Sequence, residues 1–177
     1  MPWKHRRNEI RGKLTALLKA GVDVGQRVFP ERFDPLFIPE MPCICYYFEN
    51  EPVDDDKARP IRKKRRLTVN IDIIRRIGQE DGLESWLDER AAEVEQVFDN
   101  NKYLDFNYVS DTFLTNTSWG SIDVSAEEHV RALRLTYQIN YETEIQPTSS
   151  LDEFKKAPTD YVTPEGAEAR DDIVIRT

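Results

Sequence analysis

Between Leu133 and Tyr141 apolar residues hold every second position (Leu133, Leu135, Tyr137, Ile139, Tyr141), with Arg134, Thr136, Gln138 and Asn140 between them. A period of two sends each set to its own face of an extended chain, so this segment must bury one face and leave the other polar. Leu67, Val69, Ile71 and Ile73 repeat the pattern against Thr68, Asn70 and Asp72. Two such strands are not stable alone; they require neighbouring strands and a cover for the apolar face.

The sequence offers both. Cys43 to Glu49 (CICYYFE) is apolar and aromatic enough for a third strand, and Phe106 to Ser118 holds a fourth of irregular pattern. Ile10, Leu14, Leu17 and Leu18 recur at helical spacing within Trp3 to Ala20, with Gly21 as a stop. Leu83, Trp86, Leu87, Ala91, Val94, Val97 and Phe98 do the same in a second helix running to Asn100. Between the first helix and the first strand, Pro30, Pro35, Pro39 and Pro42 forbid a long helix. Phe29, Phe33, Leu36, Phe37 and Ile38 make that stretch a packed loop rather than a linker. The order helix, strand, strand, helix, strand, strand predicts an α+β fold, a two-layer sandwich in which two helices cover a mainly antiparallel sheet of about four strands.

That domain spans residues 1–143. Residues 144–177 differ in character, with Pro147, Pro158 and Pro164, eight acids against four bases and only Leu151 and Phe154 as a weak apolar group. They read as an acidic, proline-containing C-terminal arm, whose end, Asp172 to Thr177 (DIVIRT), is β-forming. A chain of 177 residues with 39% apolar and 33% charged residues supports one core, and a thin one.

Composition also narrows the chemistry. No apolar run approaches the ~18 residues of a membrane span, and the first ten residues, MPWKHRRNEI, carry bases without a signal-peptide core. The expectation is a protein made in a cytoplasm, with no membrane partner. Cys43 and Cys45 share one face of a strand and lack the spacing of a redox or zinc motif. His5 and His129 sit in no nucleophile or ligand motif, and no glycine lies between Gly25 and Gly78 to form a phosphate loop. Asp54-Asp55-Asp56 lacks the alternating carboxylates and central glycine of a calcium loop. The reading assigns no catalytic residue, no cofactor and no metal, and expects no enzyme.

Charge is the conspicuous feature that remains. Arg62-Lys63-Lys64-Arg65-Arg66 follows Glu51 and Asp54 to Asp56, and no aromatic residue interleaves with the bases to stack on a nucleobase. With a net charge of -8 over the whole chain, a protein-facing hairpin is favoured over a specific nucleic-acid site. The candidate subunit-interface loop is therefore Asp54, Asp55, Asp56, Arg62, Lys63, Lys64, Arg65 and Arg66. Residues 1–20 hold six bases against one acid and residues 80–105 nine acids against two bases, so the two helices are complementary within a chain or between chains.

The ordered set of segments resembles the tail terminator (tail-completion, minor tail protein) family of long-tailed bacteriophages. The likeness runs through AGVDVGQRVFPERFDPLFIPEMPCICYYFENE at Ala20 to Glu51, RRLTVNIDIIRR at Arg65 to Arg76, the helix at Leu83 to Asn100 and ALRLTYQINYET at Ala132 to Thr143. It covers residues 1–143. The resemblance implies an α/β sandwich and a virion structural protein, a homo-oligomeric, typically hexameric ring that caps the tail tube. It also implies tail tube and sheath proteins and the head–tail connector as partners, and a place in the neck of the virion. A head-completion or adaptor subunit of the same neck is the alternative within that class, and a nucleic-acid-binding adaptor using Arg59 to Arg66 the alternative outside it.

Overall fold

The computed structural model describes residues 5–32, 36–56, 62–76, 82–125, 128–144, 159–162 and 168–171. The chain divides into two units, Met1–Ile145 and Gln146–Thr177. The first is α+β: helices α1 (Arg6–Gly21) and α2 (Leu83–Asn100) accompany six strands, β1 (Val28–Pro30), β2 (Cys43–Phe48), β3 (Val53–Asp56), β4 (Arg62–Arg76), β5 (Val109–Ser125) and β6 (Glu128–Glu144). The strands form one mixed sheet of order β1-β2-β4-β6-β5, with β3 also paired to β4. Only the β1–β2 pair is parallel among the described strands.

Two of the six strands exceed the expected four, and each has a physical reason for escaping a pattern reading. β1 is three residues long and ends on Pro30, inside the stretch read as loop. β3 is Val-Asp-Asp-Asp, a composition strands disfavour. It is held by β4, whose Lys64, Lys63 and Arg62 stand opposite Asp54, Asp55 and Asp56.

Alternation works as expected in the long strands. Leu67, Val69, Ile71 and Ile73 of β4 and Leu133, Leu135, Tyr137, Ile139 and Tyr141 of β6 share a buried core with Ile10, Leu14 and Leu18 of α1 and Leu87, Ala91, Val94 and Phe98 of α2. Trp86, expected in that core, is half-buried at its margin, with the guanidinium groups of Arg75 and Arg90 over its ring at 4.8 and 5.5 Å.

Gly21 does not stop α1 by adopting a left-handed cap; Val22 caps the helix in an extended conformation, its N–H on the Leu18 carbonyl at 3.1 Å. A Cβ on Gly21 would overlap Cγ2 of Val97, so only glycine leaves room for the α2 side chain at this contact between α1 and α2.

The opposite sheet face carries a smaller apolar cluster of Met41, Cys43, Ile74, Val130 and Ala132, packed by Phe29, Leu36 and Cys45. The proline-bounded stretch is thus a packed loop, cinched where Arg32 donates two hydrogen bonds to Glu40 at 2.9 and 2.8 Å. Phe37 is no anchor, being 64% exposed. Phe33 and Pro35 lie outside the described residues, as do Trp3, Arg59, Leu151, Phe154 and Asp172 to Thr177.

β5 begins at Val109, inside the expected range, and runs past Ser118 to Ser125. Its irregular sequence has a cause: the register with β6 shifts at Val109/Asp111, Leu114/Asn116 and Asp123/Ser125. Each extra residue resets the period-two phase. His129 lies within β6, ahead of the alternating run that starts at Leu133. In the second unit, β7 (Thr159–Val162) pairs antiparallel with β8 (Glu168–Asp171), strands other than the β-forming run expected at Asp172 to Thr177, which lies outside the described residues. Thr159, Tyr161 and Val162 are strand formers, and Pro164 and Gly166 follow them.

Candidate functional site

β4 extends five residues beyond the core, from Arg62 to Arg66, between β3 on one side and the end of β6 on the other. The sheet's period splits the basic run. Lys63 and Arg65 fall on the face of Leu67, toward the helices, and Arg62, Lys64 and Arg66 on the opposite face. Acids meet them from both flanks: Lys64 stands opposite Asp54 of β3 and Glu142 of β6, and Arg62 opposite Asp56 and Glu144.

Side chains follow that register. Arg66 reaches Asp54 at 3.1 Å, and Arg62 lies 3.4 Å from Glu142 and 3.8 Å from Glu144. The five bases and the Asp run are therefore brought together, as partners within one chain. A shallow cleft of about 330 Å3 opens here, lined by Asp54, Lys64, Arg66, Ser110, Asn140 and Glu142 among others.

On the helix side the hub is Glu51, in the connection between β2 and β3. Its carboxylate accepts from Arg65 at 2.7 Å, lies 3.9 Å from Arg7 and accepts the Tyr141 hydroxyl. Burial and the bond to Glu51 together push the Tyr141 phenol above its ordinary value. His5 caps α1 next to this group, its Nδ1 accepting the Arg7 backbone N–H at 3.2 Å. Burial, reinforced by Arg7 and Arg65, lowers the His5 imidazole below its ordinary value.

The polar face of the sheet holds a network that sequence reasoning left as background. Arg134 of β6 clasps Asp72 of β4 with Nε and Nη2 at 2.7 and 2.9 Å, which holds the guanidinium well above its ordinary value. Asn70, 3% exposed, donates to Glu49 at 2.9 Å and accepts from Thr136 at 2.8 Å. Asp72, Asn70, Arg134 and Thr136 are polar positions of the two alternating runs, and Glu49 follows β2. What the runs lack is the register, which places Asp72 against Arg134 and Asn70 against Thr136.

Chemically this is a surface of paired charges and satisfied amides. Among the described residues, no group of three or more His, Cys, Asp or Glu side chains is placed to hold a metal ion. Cys43 is buried and Cys45 half-buried, both reduced; a hydrogen bond to Cys45 and burial push the Cys43 thiol above its ordinary value. No helix among the described residues is long and apolar enough to cross a membrane.

No protein-family model matches the chain, and no curated protein matches it either.

Proposed function

We propose that the chain is a structural subunit of a phage neck, a tail terminator that closes into a ring on the tail tube and joins the tail to the head connector. The fold this reading assigns to residues 1–143 is a two-layer sandwich. The observation that carries it is the order of elements. α1, the proline-bounded loop, β2, the β4 strand that contains RRLTV, the α2 cover and the closing β6 strand follow one another as in the set on which the resemblance rests.

The charged hairpin supports an assembly role over a phosphate-binding one. Bases already flanked by Glu51, Asp54, Glu142 and Glu144 present little net positive field to a polyanion. The same pairing changes what charge reversal of Arg62 to Arg66 would measure, since it would break the hairpin's own contacts before any contact between subunits. Assembly is better probed by native mass, where a ring is several times the 20.7 kDa of one chain. It is also probed by adding the protein to uncapped tail tubes. Capped, length-limited tubes that accept heads are the expected result; tubes that stay open in the presence of folded protein would refute the reading.

A further inference from the structure

We infer that the free edge of β5 is a self-complementary interface that pairs antiparallel with β5 of a second copy of this chain across a two-fold axis at Thr117. β5 is the last strand of its sheet, and no strand covers its outer edge among the described residues. From Phe113 to Gly120 (FLTNTSWG) this edge has no charged residue and no proline, two of the usual means of keeping sheet edges apart, and carries one other, a bulge, at Thr115. Phe113 and Trp119 are 39% and 43% exposed, two of the exposed large apolar side chains among the described residues.

The register decides the partner. Leu114 and Trp119 are five residues apart, which in a regular strand would put them on opposite faces. The extra residue between Leu114 and Asn116 brings them into phase: Leu114 stands beside Tyr137, Thr117 beside Leu135 and Trp119 beside Leu133, all on the helix-side face. Phe113, Asn116, Ser118 and Gly120 stand beside Gln138, Thr136, Arg134 and Ala132 on the other.

A two-fold axis at Thr117 then sets Thr117 against its own copy, Asn116 against Ser118, Leu114 against Trp119 and Phe113 against Gly120, each pair on one face. These are favourable cross-strand neighbours, and an aromatic ring over a glycine is among the better ones. There is space for it, since a Cβ on Gly120 meets nothing within 4 Å. These pairs leave the extra residue, Thr115, out of the ladder in each copy, as it is already left out of the pairing with β6. A head-to-tail ring joins unlike surfaces, whereas this edge matches itself. The two contacts are therefore separate.

The test is a charge swap at the axis in the full chain. Thr117 is exposed, so Thr117→Lys and Thr117→Glu leave the core alone. Each variant alone brings like charges face to face and should weaken self-association by about tenfold or more, a difference of ~1.4 kcal/mol or larger. By sedimentation equilibrium each should have half the wild-type mass, whether wild type is a pair of chains or a pair of rings. An equimolar mixture of the two variants should recover the wild-type mass. Variants that keep the wild-type mass, a mixture that stays at half mass, or a wild-type protein that is itself monomeric would each overturn the inference.

Discussion

Phe98 of α2 lies face to face with Tyr137 of β6, ring centroids 3.9 Å apart and planes 16° from parallel. Both residues are at most 2% exposed, and the stack ties the helix to the strand that carries the strongest alternation in the sequence. Phe98→Ala should destabilise the fold by ~3–5 kcal/mol, much of the margin of a domain this size. Urea unfolding followed by far-UV circular dichroism measures it. A variant that unfolds at the wild-type midpoint would mean that the ring contributes nothing.

The contact between the helices is set by a missing side chain. Gly21→Ala should cost ~1–3 kcal/mol, because the new methyl group meets Cγ2 of Val97, a β-branched side chain with little freedom to turn away. Val97→Ala in the same chain should remove most of that cost. A double-mutant cycle on melting curves reads the coupling, and additive effects would show that the helices can separate to make room.

Tyr46, Tyr108, Tyr137 and Tyr141 all have phenols raised above the ordinary value near pH 10, with burial as the first cause in each. A raised folded-state value means that the folded protein holds its proton where the unfolded chain has lost it. Stability from this source is complete below about pH 10 and falls as pH rises beyond it. Denaturant midpoints should be flat from pH 7 to 9 and drop above 10, with absorbance at 295 nm rising as the protein unfolds. Tyr137→Phe keeps the stack on Phe98, removes a phenol that Glu95 and Asp99 also raise, and should make that drop shallower.

Much of this architecture was legible in residues because burial leaves a periodic trace. The helix faces of Ile10, Leu14 and Leu18 and of Leu87, Ala91, Val94 and Phe98 could be read that way, as could the inward sides of β4 and β6. β3 was not legible, since a run of Asp becomes a strand only when a particular partner strand lies beside it. The helix ends at Gly21 as expected, but the close approach of Val97 that requires glycine there was not legible: a glycine that stops a helix and one that admits a neighbour look alike in sequence. The charged hairpin was visible as a cluster. Which base meets which acid depends on register, as does the Asp72–Arg134 clasp, and neither leaves a mark in composition.

That register separates two neighbouring arginines that composition would treat as equivalent. Arg65 points to the helix side, its side chain 15% exposed, and bonds a Glu51 carboxylate that is 9% exposed and also holds Tyr141. Arg66 points the other way, to Asp54, with 52% and 66% of the two side chains exposed. Removing one member of a largely buried ion pair leaves the other charge desolvated and typically costs ~3–5 kcal/mol, whereas exposed pairs are worth ~0–1 kcal/mol. Arg65→Ala should therefore approach the destabilisation of a core deletion, and Arg66→Ala should leave the unfolding midpoint almost unchanged. Salt provides an independent check, because a screened surface pair weakens with ionic strength and a buried one does so far less. The wild-type advantage over Arg65→Ala should persist at 1 M NaCl. Equal losses for the two variants would mean that solvent reaches Glu51 freely and that the hairpin is held by its ladder of hydrogen bonds rather than by this carboxylate.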